Sequence, residues 1–112
     1  MANQIRLKKI AEIVKRQISQ AINEEVDLKP EILITVGDVV ITEDLKEAKV
    51  PISIFPNAQA ENIFLRLNHQ IYHLQQIINH YLQIRPVPKM IFILDRSLEK
   101  QDKIEKLIKQ TK

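Results

Sequence analysis

Cysteine is absent from the 112-residue chain, and glycine occurs once, as Gly37. Without cysteine there can be no disulfide framework and no thiolate metal site, and nothing follows about the redox compartment. The glycine count excludes more. A P-loop and a dinucleotide fingerprint each need at least two glycines at fixed spacing, where backbone must approach phosphate. A hydrolase nucleophile elbow also needs flanking glycines, so Ser19, Ser53 and Ser97 have no such setting. Long apolar runs are missing too: none reaches the roughly 18 residues of a membrane helix. The first ten residues are charged and lack the apolar region of a signal peptide. These absences lead to the expectation of a soluble, cytoplasmic protein with no catalytic residues, no cofactor, no small-molecule substrate and no membrane partner.

What is present is a modest excess of positive charge. Seventeen Lys and Arg against fourteen Asp and Glu give a net charge of +3 and a pI near 9.2. That sum fits a nucleic-acid binder without requiring one, so the placement of the charges carries the information. The length suits a single domain able to bury roughly 65% of its unfolded surface without staples.

Hydrophobic spacing sets the elements. Between residues 3 and 24, Ile10, Ile13, Val14, Ile18, Ala21 and Ile22 form one helical stripe. Its other side carries Lys8, Lys9, Lys15 and Arg16, with Arg6 just before them and Glu12 as the only acid in the first twenty residues. Residues 32–42 are rich in Val and Ile and read as a strand. Gly37 inside it predicts a bulge or a close backbone approach. The polar stretch from Thr42 to Glu47 reads as a turn, and Ala48, Val50, Ile52 and Ile54 then alternate with polar residues as a second strand. The two strands should form an antiparallel hairpin. Pro51 cannot donate to a ladder, so the second strand must be unpaired or bulged there.

From Asn57 onward the apolar positions are Ala60, Ile63, Leu67, Ile71, Leu74, Ile78 and Tyr81, at helical spacing. Asn57 is the expected N-cap, with Glu61 in the first turn. Two successive steps of four, ending at Ile71, rotate the stripe. After the break Arg85-Pro86-Val87-Pro88 comes Met90-Ile91-Phe92-Ile93-Leu94, apolar throughout, as for a strand covered on both faces. The long connection predicts a crossover that makes this strand parallel to the preceding one. A short terminal helix is expected from Ser97 to about Lys109. The sum is an α+β domain: a small mixed sheet with helices on one face, its strand order open. Phe92 is read as a core residue; for Tyr72 and Tyr81, on or near the apolar stripe, core packing is favoured over base stacking.

His69 and His73 have the i, i+4 spacing of a metal pair, but no third ligand accompanies them, so no metal site is expected. The basic residues remain. The candidate RNA-binding set is Arg6, Lys8, Lys9, Lys15 and Arg16 from the first helix, Arg66, His69 and His73 from the middle segment, and Arg85 and Lys89 from the break. Lys and Arg contacts to phosphate supply sequence-independent affinity that falls with salt.

The element order is αββααβ, that of a type II KH domain. Thr35-Val36-Gly37-Asp38-Val39 together with Glu43-Asp44-Leu45-Lys46-Glu47-Ala48-Lys49-Val50, then Leu67-Asn68, then Arg85-Pro86-Val87-Pro88, and finally Asp95-Arg96-Ser97-Leu98-Glu99 occur in the order and spacing of one family with this fold. On these stretches the chain resembles the ribosome-binding factor A family. The resemblance implies a three-stranded KH-like domain over residues 1–99, with a charged tail or short helix over 100–112. It implies a non-enzymatic monomer, associated with growth in the cold, that binds the small (30S) ribosomal subunit. Its ligand would be 16S rRNA near the 5′ end, during late maturation and rRNA processing. The single glycine rules out the Gly-x-x-Gly clamp of ordinary KH domains, so folded rRNA is the expected ligand. Where the family has Ala-x-Gly at a helix kink, this chain has Gln70, Ile71 and Tyr72, and a bend is expected there. The alternative reading is a protein-interaction adaptor using the apolar stripe of helix 57–84.

Overall fold

A computed structural model of the chain describes residues 2–97. The elements are α1 (Ala2–Glu25), β1 (Leu33–Val36), β2 (Val40–Ile41), β3 (Glu47–Phe55), a 3-10 turn (Asn57–Gln59), α2 (Ala60–His69), α3 (Ile71–Tyr81) and β4 (Lys89–Leu94). Beyond Ser97, the expected terminal helix and tail lie outside the described residues.

The sheet is built on β3. β1 and β2 both pair antiparallel with it along one edge, and β4 pairs parallel along the other. β1 and β2 are one strand interrupted by a bulge. Val36 lies opposite Ile52 and Val40 opposite Lys49, so Gly37, Asp38 and Val39 face only Val50 and Pro51. The amides of Lys89 and Asp95 donate to the carbonyls of Lys46 and Ile52, so even-numbered residues of β3 bond to β4. Odd-numbered ones, Pro51 among them, face the bulged strand. The missing N–H of Pro51 therefore falls where the ladder is already interrupted, and its carbonyl accepts the Gly37 N–H at 2.8 Å.

The turn from Thr42 to Glu47 is closed by a small network. The Thr42 and Leu45 amides donate to the Glu47 and Thr42 carbonyls, each at 2.9 Å. The Thr42 hydroxyl donates to Asp44 Oδ1 at 2.7 Å and accepts from the Glu47 amide at 3.0 Å, while the Lys46 amide donates to the same Asp44 oxygen. Leu45 takes φ 61°, a left-handed conformation that costs a non-glycine residue about 1–2 kcal/mol. Its side chain packs against the core, which offsets that cost.

One face of the sheet carries all three helices. Ala48, Val50, Ile52, Ile54, Met90 and Phe92 point inward against Val14, Ile18 and Ile22 of α1, Ile63 and Leu67 of α2, and Leu74 and Ile78 of α3, all buried. The crossover is fastened by Gln75. Its amide nitrogen donates to the Pro88 carbonyl and to Asn79 Oδ1, and its oxygen accepts the Met90 amide at 2.8 Å.

Four expectations are corrected. β4 is covered on one face only: Ile93 is 45% exposed, because no described element lies on the outer face of the sheet. Ile13 is 41% exposed, since the face of α1 that meets the sheet centres on Val14 and Ile18. Tyr72 and Tyr81 are exposed at 75% and 56%: Leu82, not Tyr81, completes the stripe of α3, and Tyr72 lies one position off it. Asn57 is not the N-cap; it starts the 3-10 turn, and Gln59 precedes α2. The strand pairings, the parallel crossover and the single helical face follow the sequence reading.

Candidate nucleic-acid interface

The predicted basic residues lie along the first two thirds of α1, on α2 and α3, and around the entry to β4. Arg6, Lys8, Lys9 and Arg16 lie along the solvent half of α1, all exposed, and make no hydrogen bond or ion pair with any described residue. Lys15 is different: its ammonium is 2.9 Å from Asp38 Oδ1 and ties α1 to the bulge. Near the far end of the helix, His73 Nε2 sits 3.2 Å from Glu25 Oε2, and the Arg66 guanidinium donates to the Asp27 carbonyl at 2.8 Å. His69 is exposed without a partner among the described residues. At about 1.5 Å per residue, the α1 stretch from Lys9 to Glu25 separates these groups by roughly 24 Å. The predicted set is therefore not one patch.

The charge along α1 runs against the helix dipole. A helix favours acids at its N-terminus and bases at its C-terminus. α1 has no acid in its first turn and no base in its last, which contains Glu24 and Glu25. Arg6, Lys8 and Lys9 come early in the helix instead. This placement does nothing for the helix, so the N-terminal bases have no local structural reason to be there.

Arg85 has a structural one. Its Nη1 donates to the carbonyls of Leu82 and Ile84 at 2.8 and 2.7 Å, and its Nη2 to that of Asn79 at 3.3 Å. It caps the carbonyl end of α3 and shapes the break. A base just beyond a helix C-terminus is a capping signal, so this role was readable from the sequence. The tie from Arg66 to Asp27, 39 residues away, was not. Lys89 is exposed at the start of β4, opposite Glu47 in the register.

The middle segment breaks at Gln70, which takes φ −98° and ψ 3° between α2 and α3, with its amide donating to the Leu67 carbonyl. Tyr72 stands in the first turn after the break. The apolar stripe of α2 and α3 is buried against the sheet, which leaves the adaptor reading without its surface.

Among the described residues no helix is long and apolar enough to cross a membrane. A KH-like α+β domain with four unpaired cations along the solvent half of its first helix, and others at Lys29, Lys46, Lys49 and Lys89, defines a class of small binding modules. The sequence profile described as ribosome-binding factor A matches residues 6–108. A ribosome-binding factor A from Gloeobacter violaceus is 32% identical over 104 residues, covering 89% of this chain and 81% of that protein. One from Staphylococcus epidermidis is 28% identical over 109 residues, 96% and 94% of the two chains. The chain is similar in fold to the crystal structure of ribosome-binding factor A from Thermus thermophilus, with a TM-score of 0.69 at 20% identity over 81% of this chain and 97% of that one. It is also similar to a Thermus thermophilus ribosome-binding factor A homology model fitted into a cryo-EM map of a 30S complex, with TM-score 0.62 at 18% identity, over 80% and 96% of the two chains. The chain belongs to the ribosome-binding factor A family.

Proposed function

We propose that this chain is an assembly factor that binds the small ribosomal subunit and grips its 16S rRNA late in maturation, during rRNA processing. The observation that carries this reading is the set of four solvent-facing cations on α1, Arg6, Lys8, Lys9 and Arg16, which the rest of the described chain leaves unpaired. Family membership supplies the partner, and the 30S complex of the Thermus thermophilus relative supports it. Phosphates are the ligand that such a row of bases fits, and structured RNA is held mainly through backbone and shape.

The action is binding without chemistry. A factor that holds one rRNA conformation more tightly than another shifts the population toward it by that difference in affinity, with no bond made or broken. The test is co-sedimentation with purified small subunits at rising salt. Binding at low salt that weakens steeply as salt rises is the expected result; no co-migration at any salt removes the proposal.

A further inference from the structure

Tyr72 is the most solvated large hydrophobic side chain on the described surface, at 75% exposure. It sits in the first turn of α3, immediately past the break at Gln70. Its hydroxyl has no hydrogen-bond partner and its ring no ring contact among the described residues; the other tyrosine, Tyr81, meets the ring of His80 edge-on, with centroids 5.5 Å apart. A phenol ring left bare on a helix gains nothing in stability from its position. Its neighbours on the helix surface are also informative. Gln75 and Gln76 lie one turn after it in α3; neither is aliphatic and neither is acidic. A largely exposed ring with no ring contact, one turn from the amide of Gln76, fits an unstacked nucleobase.

We infer that Tyr72 stacks on an unpaired base of the bound RNA, giving the interface a second contact at the helix break, next to His73, which meets the far end of α1 from Arg6, Lys8 and Lys9. The inference rests on the RNA-binding reading above and adds to it the kind of RNA element held there: a loop or bulge with an extruded base, not continuous duplex.

The chain has no tryptophan and two tyrosines, so in the Tyr81→Phe variant tyrosine fluorescence reports Tyr72 alone. Titration of that variant with a mixed-sequence single-stranded RNA twelve-mer should quench the emission as the ring stacks. In sedimentation with purified small subunits, Tyr72→Ala should weaken binding by about tenfold or more, the scale of losing one stacked base, while Tyr72→Phe should bind like the parent. Circular dichroism on each variant checks that the helices are kept. Unchanged subunit affinity for Tyr72→Ala, in a protein whose binding is lost on reversing Lys9 and Arg16, overturns the stacking contact and leaves the RNA-binding reading standing. Loss of subunit affinity without quenching by RNA overturns it differently, placing a ribosomal protein against the ring. A parent protein that binds no subunits defeats both.

Discussion

Gly37 and Pro51 are built for each other across the bulge. The Gly37 amide donates to the Pro51 carbonyl at 2.8 Å, and a Cβ on residue 37 would lie 3.3 Å from the Pro51 Cβ and 3.4 Å from its Cγ. The one glycine of the chain is thus favoured by close approach and not by an unusual φ. The proline, which has no N–H, sits where the ladder skips a residue.

Gly37→Ala is expected to destabilise the domain by about 1 kcal/mol or less. The rigid proline ring cannot swing aside, and the gain from a stiffer unfolded chain, about 0.4–1 kcal/mol, offsets part of the crowding. Gly37→Val should cost more, about 1–3 kcal/mol, as overpacking does. Urea denaturation of both variants decides it; a Val variant as stable as the parent would mean that the bulge is plastic.

Arg85→Ala should lower stability by about 1–3 kcal/mol, because three carbonyls around the end of α3 lose a charged donor. Subunit binding, measured at a temperature where both proteins are folded, should change little. A variant of parental stability with weakened binding would return Arg85 to the RNA contacts expected from the sequence.

Reversing Arg6 and Lys9 to Glu should separate binding from folding. Affinity for small subunits should fall and its salt dependence flatten, since each phosphate contact contributes to the slope. Stability should hold or rise by a few tenths of a kcal/mol, because acids near the start of α1 suit the helix dipole. Thermal melts and sedimentation at two salt concentrations measure the two effects. Lys15→Glu tests a different point: its ion pair with a 97% exposed Asp38 side chain is worth little, so stability should drop by less than about 1 kcal/mol.

Gln75→Leu removes the one side chain that bridges α3 to both Pro88 and Met90. The half-buried Met90 amide would lose its acceptor, at a cost of about 1–3 kcal/mol. Hydrogen exchange at Met90 is the direct readout, and it should speed up in the variant ahead of global unfolding.

Acid should weaken the β2–β3 turn. The Asp44 carboxyl is held below its usual range, first by the Thr42 hydroxyl and then by the Lys46 amide. A carboxyl with a depressed folded pKa stabilises above its unfolded value, 3.8, and loses that contribution as pH falls through the lower folded value. Asp44→Asn should therefore show a shallower loss of stability from about pH 5 to about pH 2 than the parent. Equal slopes would mean that Asp44 does not couple the turn to protonation.

Periodicity along the chain determined most of the architecture. The stripe of α1, the hairpin, the bulge at Gly37, the position opposite Pro51 and the parallel crossover into β4 all follow from spacing, because burial on a helix or strand recurs at a fixed period and a proline cannot serve a ladder. The charge on α1 was equally legible. What only tertiary structure decided is which bases remain available and which apolar side chains stay outside. Lys15, Arg66, His73 and Arg85 are engaged by Asp38, the Asp27 carbonyl, Glu25 and the end of α3; for all but Arg85 the partner is more than twenty residues away in sequence, beyond the reach of local pattern. Tyr72 and Ile93 carry the same hydrophobic signal as core residues. Whether they are covered depends on which face another element occupies, a relation among distant segments that no single stretch of sequence contains.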